Sequence, residues 1–292
     1  MMNESSTNDF IQVKVVGVGE IGCNSLKHMI GHDIQASDFI AINPEVNSLL
    51  TSIISIDICE QQVDESNSTI LEAIGLSDIV FVITSPKNKI DSRLSSLVVS
   101  CAKELGAMTI VIVDGAIICE KVNNIEIMKE LADAVVVINK EKISDDDIFE
   151  YNNNTDIDYF GKVVSQAIKG IVELIVKPGL IDLDFNDVRN ILQGNGMAAI
   201  GIGTGVGEKA AIIAATNAVS SQLCSEDIKT AKKLLVNVIG SEENISMFEV
   251  VEATNTIQEM IPSATNIIWG ATVDNNLIDT VKVTIIASDF EI

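Results

Sequence analysis

Short runs of branched apolar residues recur through the first half of the chain, and helical stretches separate them. Ile11–Val16, Phe39–Ile42, Ile79–Ile83, Thr109–Val113 and Ala134–Ile138 are near-continuous apolar segments, the pattern of strands covered on both faces of a parallel sheet. Asn24–Ile30 and Arg93–Leu105 read as intervening helices, and the alternation predicts a doubly wound α/β domain. Near residues 144–158 the pattern gives way to an acidic, Asn-rich connector, with Asp145-Asp-Asp147 and Asn152-Asn-Asn154. Apolar residues from Val163 to Ile175 then keep helical spacing until Pro178-Gly179 stops them. Beyond, Gly201-Ile-Gly-Thr-Gly-Val-Gly207 reads as a link from a strand to a helix at Glu208–Val219. A strand at Leu234–Ile239, a helix at Ser246–Met260 and strands at Asn266–Val273 and Val281–Ala287 complete the chain. The prediction is two α/β units joined by one central helix, without repeats.

Charge narrows the function classes. Of 292 residues, 42 are Asp or Glu and 19 are Lys or Arg, a formal charge of −23. That balance argues against nucleic acid and against charge-driven docking on anionic membrane, both of which need clustered cations. The richest apolar stretch, Met108–Cys119, is broken by Asp114 and Gly115 and falls short of the roughly 20 residues a membrane span requires. Residues 1–9 show no secretory pattern, so the expected location is the cytoplasm. Five cysteines in no CxxC spacing read as buried thiols. His28 and His32 lie four apart with no third ligand evident, so no metal is expected.

The glycines carry the candidate chemistry. Gly17-Val-Gly-Glu-Ile-Gly22 follows the first strand in a GxGxxG pattern, which lets a helix N-terminus approach a pyrophosphate. An NAD-binding Rossmann enzyme is one remote reading, with Glu45 as the only acidic residue near the second strand's tip. A longer ordered set points elsewhere: Lys14–Ile30, Ala41–Asn43, Asp78–Val82, Lys177-Pro-Gly-Leu-Ile181, Asp184-Phe-Asn-Asp187, Gly201-Ile-Gly203, Gly207-Glu208 and Ala264–Gly270. In order, these resemble FtsZ, the bacterial tubulin homologue of cell division, over nearly the whole chain. The resemblance implies a tubulin/FtsZ-like α/β fold. After a disordered N-terminus (1–10) come a GTPase-like domain (11–155), a central helix (156–178) and a C-terminal α+β domain (179–292). It also implies head-to-tail protofilaments in which one subunit's acidic loop completes the next subunit's GTP site.

The resemblance breaks at the phosphate loops. Of the family's first loop, Gly17, Gly19, Gly22 and Asn24 remain, but Glu20 and Ile21 stand where backbone should meet phosphate. The GGGTGTG signature aligns with Lys87-Asn-Lys-Ile-Asp-Ser-Arg93 and keeps none of its glycines, whose successive N–H groups would wrap the phosphates. The third loop becomes Cys59-Glu-Gln-Gln-Val-Asp64. Asn43 and Glu120 fall on base and ribose contacts, whereas Lys140 replaces a guanine-reading Asn and Gly161 or Lys162 replaces the base-reading Asp. The acidic loop is better kept: Asp182, Asp184 and Asp187 fall on the family's Asn, Asp and Asp. Residues 184 and 187 also suit the start of a helix at Phe185–Leu192.

The expectation is therefore an FtsZ-like filament protein that neither binds nor hydrolyses GTP in its own pocket. Lys87, Lys89 and Arg93 would fill the vacated phosphate site and pair with a neighbour's aspartates. The partner would be a second copy or an FtsZ subunit. The alternative is an active polymerising GTPase, with GTP or GDP bound and Lys87 or Lys89 as phosphate cations. The resemblance runs to Phe290-Glu-Ile292, where the family's catalytic body ends, and contact with membrane adaptors through a following tail is not expected of these residues.

Overall fold

The computed structural model describes residues 11–30, 34, 37–43, 53–58, 60–85, 89–115, 122–139, 159–176, 179–181, 183–194, 196–221 and 228–290. The N-terminal half runs β1 (Val13–Val18), α1 (Gly19–Ile30), β2 (Ser37–Ile42), β3 (Ile54–Ile56), α2 (Asn67–Ile74), β4 (Ile79–Thr84), α3 (Lys89–Glu104), β5 (Met108–Asp114), α4 (Val122–Leu131) and β6 (Ala134–Ile138). The long helix α5 (Tyr159–Val176) follows. The remainder is β7 (Gly179–Ile181), α6 (Phe185–Leu192), β8 (Gly196–Val206), α7 (Ala210–Ser220), β9 (Ala231–Gly240), α8 (Met247–Met260), β10 (Asn266–Val273) and β11 (Thr280–Phe290). The expected disordered stretch 1–10 and the acidic connector lie outside the described residues.

Strands β1 to β6 are all parallel, and two-residue alternation sends their side chains to two separate cores. From β4, Ile79, Phe81 and Ile83 join a core with α1 and α5. Val80 and Val82 point the other way, into a core with α2, α3 and α4. Every residue of β4, β5 and β6 is buried, which is why these segments read as unbroken Val/Ile runs.

The two expected units share one sheet. Its order is β3-β2-β1-β4-β5-β6-β8-β11-β9-β10-β7, and the junction is the parallel pairing of β6 with β8 at Ala134↔Gly196, Val135↔Met197 and Val136↔Ala198. Three-residue strands, β3 and β7, close both edges, too short to offer a pairing template.

One expectation fails. The glycines at 201–207 do not link a strand to a helix; all but the last lie inside β8. Their role is close approach. A Cβ at Gly201, Gly203 or Gly205 would collide with the backbone of Ala218, Ala214 or Ala210, respectively, on α7, so the helix lies against the strand itself. Only Gly207, with φ +86°, makes the turn.

Candidate functional site

Helix α1 begins directly at the end of β1, earlier than the residue 24 start expected, and three retained glycines make that junction possible. A Cβ on Gly17 would lie 2.6 Å from the carbonyl carbon of Gly22, and one on Gly22 would strike the Ile83 carbonyl oxygen. Strand end and helix start therefore pack backbone to backbone. Gly19 adopts φ +72°, a conformation side chains disfavour.

The space over Gly19 is occupied by a carboxylate. A Cβ placed on Gly19 would lie 2.7 Å from Cγ of Asp91 and 2.8 and 2.9 Å from its two oxygens. Asp91 is 9% exposed and sits in the first turn of α3. Helix α1 opens there with N–H groups that have no acceptor within the helix and with the positive end of its dipole. A negative side chain from elsewhere in the chain thus lies where the GxGxxG geometry would receive a phosphate. The sequence shows Asp91 as the one anion among the three cations of the altered signature, but does not show that it is the side chain lying over Gly19.

Of the three cations expected over α1, Lys89 and Arg93 lie among the described residues. Arg93 lies two residues, or about 200°, around α3 from Asp91. It lines an outer groove with Val63, Ser92, Ser96, Leu97, Ser100 and Ile127. Lys89 is exposed at the helix start, and Lys87 lies outside the described residues. Glu20 is exposed, in the first turn of α1, where the helix dipole favours a carboxylate. Asn24 accepts a hydrogen bond from Lys27 Nζ at 2.8 Å. The backbone of Asn43 donates to the Ile56 carbonyl at 3.3 Å. Glu120, Lys140 and Asp182 lie outside the described residues, while Lys162 is buried in α5.

Asp184 and Asp187 do form the helix start their spacing predicts. The Asp187 N–H donates to Asp184 Oδ1 at 2.9 Å, and the Asp184 N–H donates to Asp187 Oδ2 at 3.0 Å. This reciprocal capping box leaves each carboxylate one further oxygen. Asp184→Ala should cost about 1 kcal/mol of stability by urea titration, and Asp184→Asn close to nothing.

These aspartates cannot reach the Gly19 site of their own chain. From β4, which leads into α3, to β7, which leads to Asp184, the sheet takes seven inter-strand steps. At about 4.8 Å each these separate the two places by on the order of 30 Å. Any contact between them needs a second molecule.

Next to the glycines, Cys23 donates weakly to the carbonyls of Gly17 (3.4 Å) and Ile42 (3.8 Å). Burial pushes its thiol up from 9.0 to about 12, and burial chiefly raises Cys101 to about 11. Both should resist iodoacetamide at neutral pH in the native chain and react once it is unfolded. Between pH 9 and 12 the unfolded chain gives up a proton that the folded Cys23 keeps, so stability should fall across that window.

No group of three or more His, Cys, Asp or Glu among the described residues could hold a metal ion. None of the described helices is long and apolar enough to cross a membrane.

Residues 196–291 match the family described as FtsZ family, C-terminal domain. The whole fold is similar to FtsZ of M. jannaschii solved as an empty dimer, at 30% identity and TM-score 0.78, covering 96% of this chain and 88% of that one. Two more distant proteins share the fold. CetZ2 from Haloferax volcanii, in a GTPγS-bound protofilament, is 15% identical with TM-score 0.78 over 96% of this chain and 94% of that one. CetZ from Methanosaeta thermophila is 17% identical with TM-score 0.73, over 96% and 87%.

Proposed function

The chain belongs to the FtsZ family of tubulin-like cytoskeletal proteins, and on that premise we propose that it is a filament subunit whose own pocket no longer uses GTP. The observation that carries the reading is the Asp91 carboxylate lying over Gly19. A phosphate charge about 4 Å from a carboxylate is disfavoured by roughly 4 kcal/mol at an effective dielectric near 20, about a thousandfold in affinity. The retained glycines then serve the strand-to-helix junction, where backbone packs on backbone, and they no longer cradle a ligand.

Self-association is supported by relatives solved as a dimer and as a protofilament. An acidic loop on the order of 30 Å from the Gly19 site would serve that site only in another copy. In a head-to-tail pair, Asp184 and Asp187 of one copy meet the exposed Lys89 of the next, with Lys87 preceding it in sequence. An ion pair replaces the nucleotide bridge. Co-assembly with an FtsZ subunit during cell division would use the same two ends.

Denaturing the purified protein and chromatographing the supernatant should release neither GDP nor GTP. Electron microscopy should show filaments of equal length with and without added GTP. Bound GDP near one per chain, or assembly that requires GTP, would sink this reading and restore the active GTPase.

A further inference from the structure

Helix α8 carries an exposed apolar flank beside an acidic cleft. Met247, Phe248 and Val251 are 52, 65 and 43% exposed, while Val250, Ala253 and Ile257 hold the helix to the core. Across the outer ridge, Glu249 and Glu252 line a cleft of about 560 Å³ with Glu208, Glu243 and Asp279. At its mouth stands Val206, 64% exposed, which pairs with Thr280, and Ile278, 77% exposed, belongs to the turn just before that residue. An apolar patch rimmed by charge marks an interaction surface.

We propose that this face receives a cationic amphipathic segment of another protein, with apolar anchors on Phe248 and Val251 and Lys or Arg side chains in the carboxylate cleft. Charge selects the partner. No three of the acidic groups converge as a metal site would, so the matching cations must be spread along a segment. A chain with 42 acidic and 19 basic residues is a poor source of such a run of cations, and an anionic lipid surface supplies none. The Ser246 hydroxyl, donating to Glu249, holds that carboxyl below its ordinary range, which favours its charged form.

The test uses a fluorescent helical probe of Leu and Lys, about 18 residues long, or five turns, and reads anisotropy against the full chain. The wild type should bind, more weakly as salt rises. Phe248→Ser should weaken binding at least tenfold and the pair Glu208→Gln, Glu252→Gln several-fold, with circular dichroism unchanged. The pair Glu72→Gln, Glu104→Gln, exposed elsewhere, should leave binding as it was. The proposal is overturned if Phe248→Ser binds like the wild type, or if the control pair weakens binding equally, which would mean diffuse attraction to an acidic protein. It is overturned too if Phe248→Ser abolishes self-association without probe, which would make a second copy the occupant.

Discussion

Gly203→Val is expected to unfold the C-terminal half of the chain. Its first added atom would collide with the Ala214 carbonyl oxygen and the Ala218 nitrogen, and would stand 2.8 Å from the carbonyl carbon of Asn217. All three atoms belong to the backbone of α7, so no side-chain rotation relieves them. Ordinary overpacking costs about 1–3 kcal/mol. A clash with a helix backbone that is itself buried should exceed about 4 kcal/mol, a large share of the roughly 5–15 kcal/mol by which domains are stable. Gly194→Ala is the matched control, because its φ is +77° but nothing lies within 4 Å of the added atom. It should cost only the strain of that conformation, about 1–2 kcal/mol. Urea midpoints decide: similar losses in both variants would mean that the contact between strand and helix is not what requires glycine at 203.

The second large effect concerns assembly. Asp184→Asn combined with Asp187→Asn should leave the fold nearly as stable as the wild type, since Asn caps a helix about as well as Asp. On the proposed ion pair, sedimentation should nevertheless show the chain dispersing to monomers, because the charges assigned to that pair are gone. Asp184→Ala separates the roles differently, losing cap stability while Asp187 keeps its charge. Filaments that persist in the double Asn variant, insensitive to salt, would show that these carboxylates only start a helix.

How much was legible in the sequence depended on the range of the cause. Ala134–Ile138 was placed to the residue because burial on both faces demands an unbroken apolar run. Asp184 and Asp187 were legible because a cap is a contact three residues long. By contrast, β3 and β7 have three residues each and show no periodicity. The glycines at 201–205 read as a turn because their requirement comes from α7, which the local sequence does not display. Asp91 was hidden for a similar reason: its meaning lies in Gly19, more than 70 positions away. Alignment marked the altered segment as cationic, whereas the helical turn decided which side chain faces inward, and it was the anion.

The junction of β6 and β8 has a mechanical consequence. Among the described residues, only three pairs join the two halves of the sheet there. A filament under tension would load this seam across its hydrogen bonds, which then break in succession instead of sharing the force. Buried residues of α5, β6, β8 and β11 belong to one core that is continuous across the seam, so that core holds the halves together where the sheet is narrow. Single subunits pulled from their ends should therefore lengthen in two steps, the first set by the core across the seam and the second by the mixed sheet beyond it.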